Sequence, residues 1–92
     1  MQSLSRVFKA LSSEQRLKIV RYLLDQNEYK CYCELDDVVD KDMSVIYRHF
    51  RALQDAGILE TRKVGKRLEG RVKNPDKIEK LLEIVEGIGN ES

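Results

Sequence analysis

The sequence has one proline, one histidine and two cysteines among its 92 residues, and each scarcity excludes something. Two cysteines are too few for the disulfide framework that staples small secreted domains, so this fold must hold by packing, metal or self-association. The lone histidine, His49, has no partner for nucleophilic or metal catalysis. No Ser/His/Asp set, glycine-rich phosphate loop or opposed pair of catalytic acids can be assembled either, so no enzyme is expected. Runs of about 18 apolar residues, the length that spans a bilayer, are absent. The amino terminus, MQSLSRVFKAL, lacks the apolar core and cleavage site of a signal peptide. The expectation is a cytoplasmic protein with no membrane partner. Repeats, low-complexity tracts and linkers are also missing, and a chain this short cannot divide its apolar residues between two cores, so residues 1–92 read as one domain.

An excess of charge of one sign is missing as well, with 17 Lys and Arg against 16 Asp and Glu. That balance argues against a polycationic, histone-like binder and against an acidic disordered tail. The balance is an average over unlike segments. Residues 61–73 (TRKVGKRLEGRVK) carry Arg62, Lys63, Lys66, Arg67, Arg71 and Lys73 against Glu69 alone, while residues 1–60 sum to −1 and 74–92 to −3. Residues 34–42 (ELDDVVDKD) set five carboxylates against one lysine. Taken alone, either run reads as a solvated face.

Apolar periodicity places the elements. Leu4, Val7, Phe8 and Leu11 follow helical spacing over about residues 3–11, and Ser12 or Ser13 offers an N-cap for a second helix from 14 to 26, stopped by Asn27. Residues 29–33 (YKCYC) read as a brief extended segment. Leu35, Val38 and Val39 suggest a short helix that stops near Asp40, a residue type that tolerates the left-handed conformation of a tight turn. Asp42 can cap the next helix, residues 43–56, with Ile46, Phe50 and Leu53 on its buried stripe and Gly57 as its stop. Residues 58–64 and 67–73 flank Gly65-Lys66, a pair suited to a two-residue hairpin turn. Pro75 then opens a last helix over about 75–88, bearing Ile78, Leu81, Leu82, Val85 and Ile88.

The order α-α-(β)-α-α-β-β-α describes a mainly α fold with a small β-hairpin. A short helix, a tight turn and a longer helix followed by a basic hairpin make a winged helix-turn-helix, in which one helix enters the major groove and the wing reaches the backbone. Wing cations Arg62, Lys63, Lys66, Arg67 and Arg71 would neutralise phosphates of double-stranded DNA without reading sequence. Sequence would be read from the long helix, whose candidate DNA-binding residues are Met43, Ser44, Val45, Tyr47, Arg48 and Arg51: Ser44 for a base edge or phosphate, Val45 for a thymine methyl, Arg48 for guanine or phosphate, and Tyr47 for either. The plainer alternative makes Arg48 and Arg51 solvated cations and Tyr47 a cap on the core. His49 reads as a structural hydrogen-bonding residue.

The stretches FKALSSEQRLKIVRYL at 8–23, KCYCEL at 30–35 and SVIYRHFRALQDAGILETRKVGKR at 44–67 resemble the arsenical-resistance repressor (ArsR/SmtB) family of prokaryotic metal-sensing transcription factors. The most specific part is R-H-x-x-x-L-x-x-A-G-I-L from Arg48 to Leu59. The resemblance implies a winged-helix homodimer, joined through its first and last helices, that represses from a pseudo-palindromic operator and leaves it when an inducer binds. Two terminal amphipathic helices also have more apolar face than so small a core can cover, which independently favours a dimer. Three positions depart from the family pattern: Asp40 replaces the usual turn glycine, Lys41 an apolar residue, and Gly70 an aromatic one.

Cys31 and Cys33 fall where the family places its C-x-C metal site. Two thiolates suit a thiophilic metal or metalloid ion, but the third cysteine of the arsenite pattern is here Asp36, a hard oxygen ligand, and residues 74–92 contain no histidine. Three readings of the pair stay open: metal or metalloid sensing, a thiol redox switch, and inert buried thiols. A bond between the two cysteines is not expected, since alternate Cβ atoms of an extended chain lie roughly 7 Å apart, beyond disulfide reach. The alternative to DNA binding is a winged helix used for protein contact, motivated by the acidic 34–42 segment.

Overall fold

Ser13 stands where two helices meet, α1 (Gln2–Ala10) and α2 (Glu14–Gln26), in a computed structural model of the chain that describes residues 2–90. Its hydroxyl accepts from the Arg16 N–H at 3.3 Å and so caps α2. At the far end Asn27 adopts φ 52°, a left-handed C-cap, and returns its N–H to the Leu23 carbonyl. Ile19, Val20 and Leu23 face the core from α2, with Leu17 and Leu24 packed at its margin.

Strand β1 (Lys30–Cys31) follows, and the chain then tightens into a 3₁₀ turn at Tyr32–Glu34. The short helix expected around Leu35, Val38 and Val39 is instead a hydrogen-bonded turn, closed by the N–H groups of Val38 and Val39 on the Leu35 carbonyl at 3.1 and 2.9 Å. Leu35 and Val39 are nonetheless fully buried. One turn is enough to aim two side chains four apart at the same core, so the apolar spacing is met without a helix. Asp40 is not left-handed; Asn27 alone among the described non-glycine residues has positive φ. The Lys41 N–H reaches the Val39 carbonyl at 2.8 Å, so Asp40 sits at the centre of a three-residue turn that any residue can adopt.

Helix α3 (Met43–Asp55) buries Ile46, Phe50 and Leu53, the expected stripe. Asp42 is its N-cap by position only, for its side chain makes no capping hydrogen bond. The helix ends on paired reversed hydrogen bonds, Gly57 N–H to the Gln54 carbonyl at 2.9 Å and Ile58 N–H to the Leu53 carbonyl at 3.0 Å, with Gly57 at φ +80°. Glycine takes that left-handed geometry at least cost, and it turns the chain into the hairpin.

Strands β2 (Leu59–Val64) and β3 (Arg67–Val72) pair around Gly65-Lys66, and Gly65 at φ +63° supplies the positive φ of the first turn position. Strand β1 adds to the other edge of β3, giving an antiparallel sheet of order β1-β3-β2 that the sequence pattern did not foresee. Leu59, Leu68 and Val72 turn inward onto Phe50 and its neighbours, and helix α4 (Pro75–Asn90) contributes Leu82.

Gly70, the departure from the family's aromatic, has a local cause. A Cβ there would lie 3.0 Å from Phe50 Cε2 and 3.6 Å from Leu59 Cδ1. Phe50 is fully buried, so its ring must shift against packed neighbours to make room. Gly70→Ala is expected to lower unfolding stability by about 1–3 kcal/mol through overpacking, read as a lower urea midpoint at unchanged slope. A midpoint equal to or above that of the parent would mean that the ring yields.

Candidate nucleic-acid interface

Burying Ile46, Phe50 and Leu53 leaves the opposite face of α3 to solvent. Met43 is 39% exposed, and Ser44, Arg48 and Arg51 are exposed without an ion pair among the described residues. Val45 and Tyr47 are half-buried. Tyr47 meets Tyr32 edge to face, with centroids 5.4 Å apart, and Tyr32 in turn packs on Phe50. Tyr47 therefore covers the core with part of its ring.

His49 lies on the flank of α3 toward α2. The Arg16 Nε donates to His49 Nδ1 at 3.1 Å, tying the two helices together. Burial, then the positive charges of Arg16, Arg48 and Lys41, hold the imidazole below its ordinary pKa, so it stays neutral and accepts that bond. The structural role expected for it is the one it has.

The wing carries its charge unevenly. Lys63 and Lys66 are exposed near the hairpin tip, free of ion pairs among the described residues, with Val64 between them 48% exposed. Arg67 faces Glu34 at 3.9 Å, a loose pair with both side chains about half exposed. Arg62 and Arg71 are engaged internally. The Arg62 Nε donates to Glu69 Oε1 at 2.9 Å, and the Arg71 Nε to Glu60 Oε1 at 2.6 Å. Tyr29 donates its hydroxyl to the same Glu60 oxygen at 3.1 Å, and both guanidinium carbons lie over its ring, at 4.1 and 4.6 Å from the centroid. The Arg71 hydrogen bond and then that of Tyr29 hold the Glu60 carboxyl below its ordinary pKa, while Glu60 raises that of Arg71. Sequence reasoning missed Tyr29, Glu60 and Glu69; the carboxylates were findable, because a two-residue turn at 65–66 places 60 opposite 71 and 62 opposite 69.

Cys31 and Cys33 are joined as a disulfide, against the expectation, with Cα atoms 5.1 Å apart. The chain leaves extended geometry at Cys31 and enters the 3₁₀ turn, which shortens the span to within disulfide reach. Glu34 closes the turn by accepting the Cys31 N–H at 2.8 Å. In the bridged state the sulfurs are spent on each other, Asp36 is exposed on the next turn, and no group of three His, Cys, Asp or Glu converges among the described residues, so a thiophilic ion would require the reduced thiols.

A recognition-type helix leading through one tight turn into a cationic antiparallel hairpin defines a winged helix-turn-helix protein. The same fold is found in a homodimeric winged helix-turn-helix DNA-binding domain from Mycobacterium bovis, with TM-score 0.78 over 98% of this chain and 81% of that one at 22% identity. An ArsR-like transcriptional regulator from Rhodococcus superposes with TM-score 0.68 at 30% identity, covering 98% and 82% of the two chains. The cadmium resistance transcriptional regulatory protein CadC of Listeria innocua is 35% identical over 82 residues, which span 89% of this chain and 67% of that protein. The family model for bacterial regulatory proteins of the arsR family matches residues 13–61. The chain belongs to the arsR family of bacterial transcriptional regulators.

Proposed function

We propose that this chain is a sequence-specific repressor that binds a pseudo-palindromic operator in double-stranded DNA as a homodimer. The N-terminal half of α3 lies in the major groove, Ser44 and Arg48 meet base edges, and Arg51 and the wing meet phosphates. The observation that carries this is the set of exposed cations, Arg48 and Arg51 on α3 and Lys63 and Lys66 on the wing, that make no ion pair among the described residues of a chain near neutrality. The dimer forms through α1 and α4, residues of which leave Leu4, Phe8, Ile84, Val85 and Ile88 exposed. No helix of the described residues is long and apolar enough to cross a membrane, in keeping with a regulator that works in the cytoplasm.

Fluorescence anisotropy on a labelled duplex tests the reading. Affinity should fall steeply with salt, and Lys66→Ala with Arg67→Ala should weaken binding to every sequence, flattening the plot of log K against log salt by about 3–4 per dimer. Binding indifferent to salt and to both substitutions would favour the protein-contact alternative, with the exposed acidic 34–42 segment as its surface.

The bridged cysteines favour thiol regulation over metal sensing. A peroxide would oxidise one thiolate to a sulfenic acid, its O–O bond breaking to release water or an alcohol, and the second thiol would displace the sulfenic oxygen as water to form the S–S bond. Reduced protein should then differ from peroxide-treated protein in operator affinity, and Cys33→Ser should abolish the difference. Equal affinities in both states would leave the bridge a structural closure only.

A further inference from the structure

The outer face of the wing is a closed set of partners. Glu60 and Arg71 stand directly opposite each other across β2 and β3, as do Arg62 and Glu69. Both arginines are about half exposed, and a surface arginine paired in this way exchanges readily onto a phosphate that offers the same chemistry. Here a third group lies beneath both arginines. Tyr29, from the segment before β1, lays its ring under the guanidiniums of Arg62 on β2 and Arg71 on β3 and donates its hydroxyl to the Glu60 oxygen that Arg71 also uses. Withdrawing either arginine would cost it a carboxylate and an aromatic face together, and Arg71 would leave Tyr29 and Glu60 behind. Among the described residues Lys63 and Lys66 make no ion pair, and Arg67 makes only the loose one with Glu34.

We propose that Tyr29 is a positioning residue for DNA binding: it holds Arg62 and Arg71 on Glu69 and Glu60, so that the wing neutralises phosphates through Lys63, Lys66 and Arg67. This rests on the DNA-binding reading. The clamp divides the cations of the hairpin between two jobs, with those nearest the turn meeting the backbone and those nearer the base fixing the hairpin against the α2–β1 connection.

The test is the salt dependence of binding by the full chain to a fluorescein-labelled random-sequence duplex of about 30 base pairs, because phosphate contacts need no operator. Lys63→Ala and Lys66→Ala should each flatten the slope by about 2 per dimer. Arg62→Ala and Arg71→Ala should flatten it by less than half as much. Tyr29→Ala should steepen it, since two freed guanidiniums per protomer reach phosphates, and Tyr29→Phe, which keeps the ring, should fall between Tyr29→Ala and the parent. Arginine variants that flatten the slope as much as the lysine variants would overturn the proposal, as would a Tyr29→Ala slope equal to the parent's. Circular dichroism and a thermal melt check folding; should Tyr29→Ala not fold, Glu60→Gln with Glu69→Gln frees the same arginines with the ring in place and must steepen the slope. A parent protein that binds no duplex in a salt-dependent way sinks the DNA reading itself, an outcome separate from parent binding with the slopes in the wrong order.

Discussion

Ile84→Glu with Ile88→Glu is expected to give a folded monomer whose operator affinity is lower by about 100-fold or more. Ile84 and Ile88 are 55% and 68% exposed, so neither contributes much to the monomer's own core, and a carboxylate at each costs little there. Across the two-fold interface proposed for α1 and α4 the same carboxylates would meet their own copies and the apolar side chains of the facing helices, where each would lose water without gaining a partner. Two recognition helices on one rigid dimer bind their half-sites as a single event, whereas a monomer loses the effective concentration that the second half-site enjoys. Sedimentation velocity should show half the parent mass, and far-ultraviolet circular dichroism an unchanged helix content. A dimer that survives both substitutions would move the interface away from α4.

Much of the fold was legible because the deciding signals are local. The spacing of Ile46, Phe50 and Leu53 assigns one face of α3, Gly57 marks its reversal, and the two-residue turn at Gly65-Lys66 sets every cross-strand pair of the wing. The errors lie where a non-local choice decides. Leu35 and Val39 are four residues apart, as a helix would have them, yet a single turn held by the Leu35 carbonyl serves as well, and Asp36, Asp37 and Asp40 give little reason to propagate a helix. On an extended chain the two cysteines are beyond disulfide reach, but the chain bends after Cys31 because β1 ends there, having paired with Gly70 and Glu69 of β3. The candidate site was legible as a list of cations but not as a division among them. Which wing arginines are free depends on Tyr29, and Tyr29 reaches them only because β1 joins the far edge of the sheet.

Arg48→Ala is the substitution expected to change what the protein recognises. Arg48 projects from the first half of α3, exposed and free of ion pairs among the described residues, one turn beyond Ser44 on the same face. A bidentate arginine-to-guanine contact discriminates by about 1–3 kcal/mol, and a two-fold dimer makes the contact twice, so preference for the operator over random duplex should fall by about 2–6 kcal/mol. The free energy refers to the ratio of affinities: binding to random duplex should keep most of its strength, because the wing is untouched. Neutral His49 beside it, held on Arg16, keeps that flank of the helix packed on α2 and leaves the exposed face to set the outcome. Selecting tight binders from a randomised duplex pool for the parent and for Arg48→Ala gives the operator and its relaxed form in one experiment, with the relaxation confined to one symmetric pair of positions. Equal losses on operator and random duplex would assign Arg48 to a phosphate, and reading would then fall to Ser44, whose alanine variant in the same selection should relax a different pair.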